Sequence, residues 1–207
     1  MTLFSQKERQ RISRAIAQAE KKTSGEIVTV VADSSDDYTF IPVLWAALAA
    51  LALPMPLIFL AAWPLQDIYS AQLLVFLVFA AAAQWWPLRV RLVPGRVKRA
   101  RAHRHAVEQF LAQNLHTTAK RTGVLIFVSL AERYAEVIAD KGINDKAPQG
   151  LWDGIVAELT AHLSRGEAAE GFVGAINGCG AILAQHFPPG SADENELPNH
   201  LIVLQRD

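Results

Sequence analysis

Ionisable side chains are missing from two long stretches of this 207-residue chain. From Tyr38 to Gln66 there is no Asp, Glu, Lys or Arg; Asp67 intervenes, and none recurs from Ile68 to Leu88. Each stretch reaches the roughly 20 residues that a helix needs to cross about 30 Å of hydrocarbon. A domain of this size could hardly enclose two helices apolar on every side, so lipid is the expected solvent for both. The same absence argues against an ion or proton pathway, which needs acids or bases within the span. Only Gln72 and Gln84 offer polar lining there. Cysteine is scarce too. Cys179 stands alone, which excludes a disulfide within the chain, and no Cys/His cluster suggests zinc. That favours a reducing compartment for the water-soluble part. The charged segment Met1 to Lys22 lacks the apolar core of a cleavable signal peptide, and none is expected. No Ser-His-Asp order, phosphate loop or dinucleotide fingerprint occurs. Bulk figures hide all of this: zero net charge and a mean hydropathy of +0.17 average an apolar middle with charged flanks.

The apolar middle carries further bilayer features. Tyr38, Trp45, Trp63, Tyr69, Trp85 and Trp86 gather near the expected span ends, where amphipathic rings favour the headgroup zone. Pro54 and Pro56 should kink the first helix. Ala46, Ala47, Ala49 and Ala50 offer a small-residue face to Ala80, Ala81, Ala82 and Ala83. Charge sets the orientation. The connection Trp63–Ser70 has no Lys or Arg, whereas Arg89, Arg91, Arg96, Lys98, Arg99, Arg101 and Arg104 follow the second span. Basic flanks stay in the cytoplasm, so both ends of the hairpin are expected on the inner side of a cell membrane, with the connection outside. Next to a span, this run reads as a contact for anionic headgroups rather than nucleic acid, worth about 1 kcal/mol per basic side chain.

The flanking sequence alternates helix and strand. Ser5-Gln6-Lys7-Glu8 is a capping box, and Ile12, Ala15, Ile16 and Ala19 form the buried stripe of the helix it opens. Gly25 is expected to end that helix in the left-handed conformation. Glu26–Ala32 and Gly123–Leu130 read as buried strands, with Tyr134–Asp140 returning as a hairpin partner. Between them, about Arg96–Leu115 is an amphipathic helix with Val97, Ala100, Val107, Phe110, Leu111 and Leu115 on one face. Pro148 suits the opening of a helix whose stripe is Leu151, Trp152, Ile155, Val156, Leu159 and Leu163. Gly166 breaks it, and a last helix to His186 buries Phe172, Ile176, Ile182 and Leu183. After the link Pro188–Pro198, Leu201–Leu204 can add an edge strand. The expectation is an α/β fold: a small, mainly parallel sheet flanked by helices and interrupted by a two-helix transmembrane hairpin. Its soluble domain would comprise residues 1–37 and 96–207, with residues 38–95 as the membrane insert.

Candidate chemistry is sparse. Asp33 follows the first strand, and Asp140 and Asp145 flank the loop after the third; meeting at one sheet edge, they could bind Ca²⁺ or Mg²⁺ through oxygen ligands. The alternative is that they are loop acids that cap helices or face water. His103 and His105, two apart on a helix, point away from each other, and Cys179 between Gly178 and Gly180 reads as a packed residue. No catalytic set and no organic cofactor site emerges.

Thr23-Ser24-Gly25-Glu26-Ile27-Val28, Thr122-Gly123-Val124-Leu125-Ile126 and Val137-Ile138-Ala139-Asp140-Lys141-Gly142 resemble the motifs of the TPM-domain family, named for a thylakoid lumen protein, a photosystem II repair protein and a nematode receptor modulator. The resemblance covers about Ser5–Ala32 and Val97–Ala184, and the hairpin version resembles a bacterial branch of membrane proteins. It implies the α/β fold and, for some members, calcium binding or weak acid phosphatase activity through acids at the sheet's end. Arg121 stands where the family has an Asp. Three functions follow as expectations, in order: a membrane-anchored interaction or assembly module with a membrane-protein partner, a cation-binding domain or weak phosphatase, and a small transporter subunit.

Overall fold

The computed structural model describes residues 4–60, 63–145, 150–189 and 196–205. Pro148 and residues 190–195 of the Pro188–Pro198 link lie outside them. The chain divides into two compact units, residues 1–35 with 100–207, and residues 36–99.

The first unit is built on a four-stranded sheet of order β3-β2-β1-β4, with β1 Glu26–Ala32, β2 Gly123–Ser129, β3 Tyr134–Ala139 and β4 Leu201–Leu204. β1 pairs in parallel with both β2 and β4, and β2 pairs antiparallel with β3. The β-branched runs that fill β1 and β2 are buried at every position, which fits strands covered on both faces. Period-2 alternation sorts them. Ile27, Val31, Val124, Ile126 and Val128 face one core, and Val28, Val30, Ala32, Leu125 and Phe127 face the other.

Three helices close the first core: α1 Gln6–Glu20, α8 Asp153–Ser164 and α9 Ala168–His186. In α1 the capping box forms, with Ser5 Oγ accepting from the Glu8 N–H, and Ile12, Ala15, Ile16 and Ala19 are buried. Gly166, at φ +77°, ends α8 as the sequence suggested. Ile182 is only half-buried, whereas Phe172, Ile176 and Leu183 are fully so. Gly25 does not take the left-handed conformation; α1 ends at Lys21 in the right-handed region. A Cβ at Gly25 would instead lie 3.0 Å from Leu183 Cδ1, so the residue serves close packing.

The second core lies under α6 (Gly95–Ala112), which presents Ala106 and Phe110 to it. This corrects part of the face read from the sequence, in which Phe110 and Leu115 are buried as expected. Ala102, Ala106 and Phe110 are buried, while Val107 and Leu111 stay exposed. Ala102 and Ala106 let the helix approach the sheet, Phe110 fills the core beside them, and Val107 and Leu111 are left outside.

The second unit contains α2 Phe40–Ala52, α3 Pro54–Phe59, α4 Leu65–Ala82 and α5 Trp86–Leu92. α2 packs against α4, with Ala46 and Ala50 among its few buried residues. The helix divides at Leu53, just before Pro54, as the missing proline N–H requires. The second apolar stretch is shorter than its composition suggested: α4 stops at Ala82, because Pro87 cannot continue a helix through residues 83–86. Arg89 has a local task at this break. Its Nε donates to Ala83 O at 3.2 Å and its Nη2 to Gln84 Oε1 at 3.0 Å, satisfying an end of α4.

Candidate functional site

Strand direction decides which of the candidate acids can meet. β1 and β2 run in parallel, so Asp33 lies at their carboxyl end, beside Ser129. β3 runs the other way, and its last residue Ala139 pairs with Val124 at the start of β2. Asp140 is therefore about seven residues, or about 23 Å, along the sheet from Asp33. The structure does not bring Asp33, Asp140 and Asp145 to one edge, because a hairpin strand delivers its C-terminus to the amino end of its partner.

At the amino edge Asp140 is paired with Arg121. It is 5% exposed, its Oδ2 lies 2.8 Å from Arg121 Nε, and its Oδ1 accepts from Arg121 Nη2 at 3.1 Å and from the Lys141 N–H at 2.7 Å. It caps α7, the single turn Lys141–Asn144, and Asp145 at the far end of that turn is exposed. A guanidinium thus supplies the positive charge that a cation would supply beside this carboxylate, and the residues present do not fit a divalent ion at Asp140. Arg121 sits at φ +56°, and a Cβ on Gly142 would come within 2.6 Å of its carbonyl oxygen. This close approach explains the glycine of the Asp140-Lys141-Gly142 motif. Gly123 is constrained likewise: its Cβ would meet Leu115 O at 2.5 Å.

A second polar group at the amino edge was not singled out from the sequence. Glu20 Oε1 accepts from the Ile27 N–H at 2.9 Å, and Glu26 Oε1 accepts from the Glu196 N–H at 3.1 Å. Burial, with the neighbouring Glu26 charge adding to it, pushes the Glu20 carboxyl up to about 8, against opposing hydrogen bonds from Ile27 and Asn199. Glu196 in turn accepts from the Ala119 N–H at 3.2 Å. These acids fasten the segment before β4 to the sheet. The only sequence signal was a Glu opening an otherwise apolar strand.

The carboxyl edge holds a hydroxyl–carboxylate network. Glu132, 9% exposed, accepts from Ser129 Oγ through one carboxylate oxygen and from Ser34 Oγ and the Ser35 N–H, both at 3.2 Å, through the other. Ser35 Oγ donates to Ser129 Oγ at 2.7 Å. Ser129 is fully buried, so this arrangement ties the ends of β1 and β2 together rather than presenting a nucleophile. A cleft of about 470 Å³ opens beside it, lined by Leu130, Arg133, Tyr134, Thr160, Leu163 and Ser164 among others.

The remaining candidates are separated. His103 Nδ1 lies 3.0 Å from Glu136 Oε2, while the His105 ring packs edge-on against Phe127 at 5.4 Å, so the two rings point to different partners. Cys179 is buried, and burial pushes its thiol up to about 12, far from a reactive thiolate. Among the described residues no group of three or more His, Cys, Asp or Glu side chains is placed to hold a metal ion.

A small mixed sheet covered by helices on both faces, with glycines at tight approaches at the start of β2 and after β3, defines the class. Residues 82–182 match the TPM domain model, which supports a TPM-domain assignment for that part of the chain. The fold is similar to that of BA42 from the psychrophilic bacterium Bizionia argentinensis, solved by NMR, with a TM-score of 0.61 and 22% identity over 97% of this chain and 94% of that one. No curated protein matches the chain.

Proposed function

We propose that this protein is a TPM domain anchored in a bacterial inner membrane by a helical hairpin, with its α/β domain in the cytoplasm acting as an interaction or assembly module. One observation carries the reading. Among the described residues, every exposed large apolar side chain except Val107 and Leu111 lies between Phe40 and Trp85. The two helices concerned, Phe40–Phe59 and Leu65–Ala82, have mean hydropathies of 2.1 and 1.6 and are 22% and 6% buried within the protein. A core helix of a water-soluble domain would be covered; these are not, and such a patch needs lipid or a partner. The basic residues after α4 support a cytoplasmic α/β domain by the positive-inside rule and suit anionic headgroups. An interaction module requires no catalytic set, which suits an amino edge where Asp140 is already paired with Arg121. No observation favours the cation-dependent phosphatase reading or a transporter.

The topology is tested by fusing an enzyme active only in the periplasm at Gln66 or at the C-terminus. Activity is expected at Gln66 alone. Activity at the C-terminal fusion alone would invert the orientation, and a membrane protein co-purifying with the chain is the expected companion of the module role.

A further inference from the structure

Val107 is 38% and Leu111 50% exposed, the two large apolar side chains that stand outside the hairpin's exposed set. Both lie on α6, one turn apart, on the side away from the buried stripe Ala102, Ala106 and Phe110. Arg104 and Glu108, also exposed, complete an outer row at positions 104, 107, 108 and 111, the spacing of one helix face. Two exposed apolar residues alone would need no explanation. Here they share a helix with Arg96, Lys98, Arg99, Arg101 and Arg104, set against a single acid, Glu108. Arg96 and Lys98 stand in the first turn of α6, where the helix dipole disfavours positive charge, so helix stability does not account for them. Arg96, Arg99 and Arg104 make no ion pair among the described residues. A surface with basic residues beside an apolar pair is complementary to one environment in particular: anionic headgroups above an acyl boundary.

We propose that the outer face of α6 rests in the headgroup layer of an anionic phospholipid bilayer, with Val107 and Leu111 at the acyl boundary and Arg104 on lipid phosphates. This rests on the membrane reading above, which supplies the bilayer, and extends it from a span to an interfacial contact of the α/β domain.

The test places a nitroxide at Val107→Cys, Leu111→Cys, Leu74→Cys or Ala157→Cys in the full chain, reconstituted in nanodiscs of phosphatidylcholine with or without phosphatidylglycerol. Collisions with oxygen, enriched in lipid, are compared with collisions with a water-soluble nickel chelate. In anionic discs the oxygen-to-nickel ratio at 107 and 111 is expected to rise several-fold over that at Ala157, an exposed α8 position. High salt, or Arg101→Gln with Arg104→Gln, should abolish the rise. Labels at 107 and 111 as aqueous as Ala157, with Leu74 in lipid, would overturn this inference and leave the hairpin standing. Protection at 107 and 111 from both reagents would overturn it in favour of a protein partner. An aqueous Leu74 label would instead overturn the membrane reading itself.

Discussion

Glu20 and Asp140 are buried carboxyls at the same edge of the sheet, and they differ in the company they keep. Asp140 lies 2.8 Å from the Arg121 guanidinium. Glu20 has no such cation, and its carboxyl is raised from 4.5 to about 8. Between those values the folded chain holds a proton that the unfolded chain has released, so stability falls as pH rises through this window and the contribution is lost above about 8. Thermal midpoints from pH 5 to 9 should decline accordingly, and Glu20→Gln should flatten that part of the profile. An unchanged slope in the variant would assign the pH dependence elsewhere. For Asp140→Ala, loss of the cap and of the guanidinium's partner is expected to cost about 1–3 kcal/mol in denaturant unfolding, with the ion pair a minor share because Arg121 is more than half exposed. None of this pairing was legible in the sequence. Arg121 and Asp140 are joined by a hairpin whose register sets their distance, and Glu20 meets Glu26 only after α1 docks.

At the scale of elements, much was legible wherever one periodicity had one solution. β1 follows the bounds read from its β-branched run, and the Ser5–Glu8 box forms as its spacing requires. The antiparallel β2–β3 pair also follows from a short connection. That same pair contradicts the meeting of Asp33 with Asp140, since an antiparallel partner ends where its neighbour begins. α6 shows the other limit. Its sequence supports two apolar faces, and hydrophobicity selects the one with Val107 and Leu111, whereas close packing on the sheet selects the alanines. Space rather than apolarity also governs the glycines. Gly142→Ala should destabilise by about 1–3 kcal/mol, because the clash is with backbone carbonyls of Lys120 and Arg121 that cannot swing aside. Gly154→Ala, in α8 with nothing within 4 Å of the new Cβ, should stabilise by about 0.5–1 kcal/mol. Equal effects in the two variants, measured by urea unfolding of the solubilised chain, would contradict the packing account.

For the whole molecule, one sheet is assembled from strands on either side of an apolar insertion: β1 precedes it, and β2 follows it, yet they pair over their full lengths. Neither flank can bury its strand without the other, so the crossover must return the chain to its starting side. On the proposed membrane reading, two crossings would do this and one would not. The most direct measurement is fractionation of membranes washed in alkaline carbonate, which strips peripheral proteins and leaves those solvated by lipid. The full chain should remain in the pellet and leave it only with detergent. A chain recovered in the supernatant, monomeric without detergent, would show that protein or water, and not lipid, covers α2 and α4.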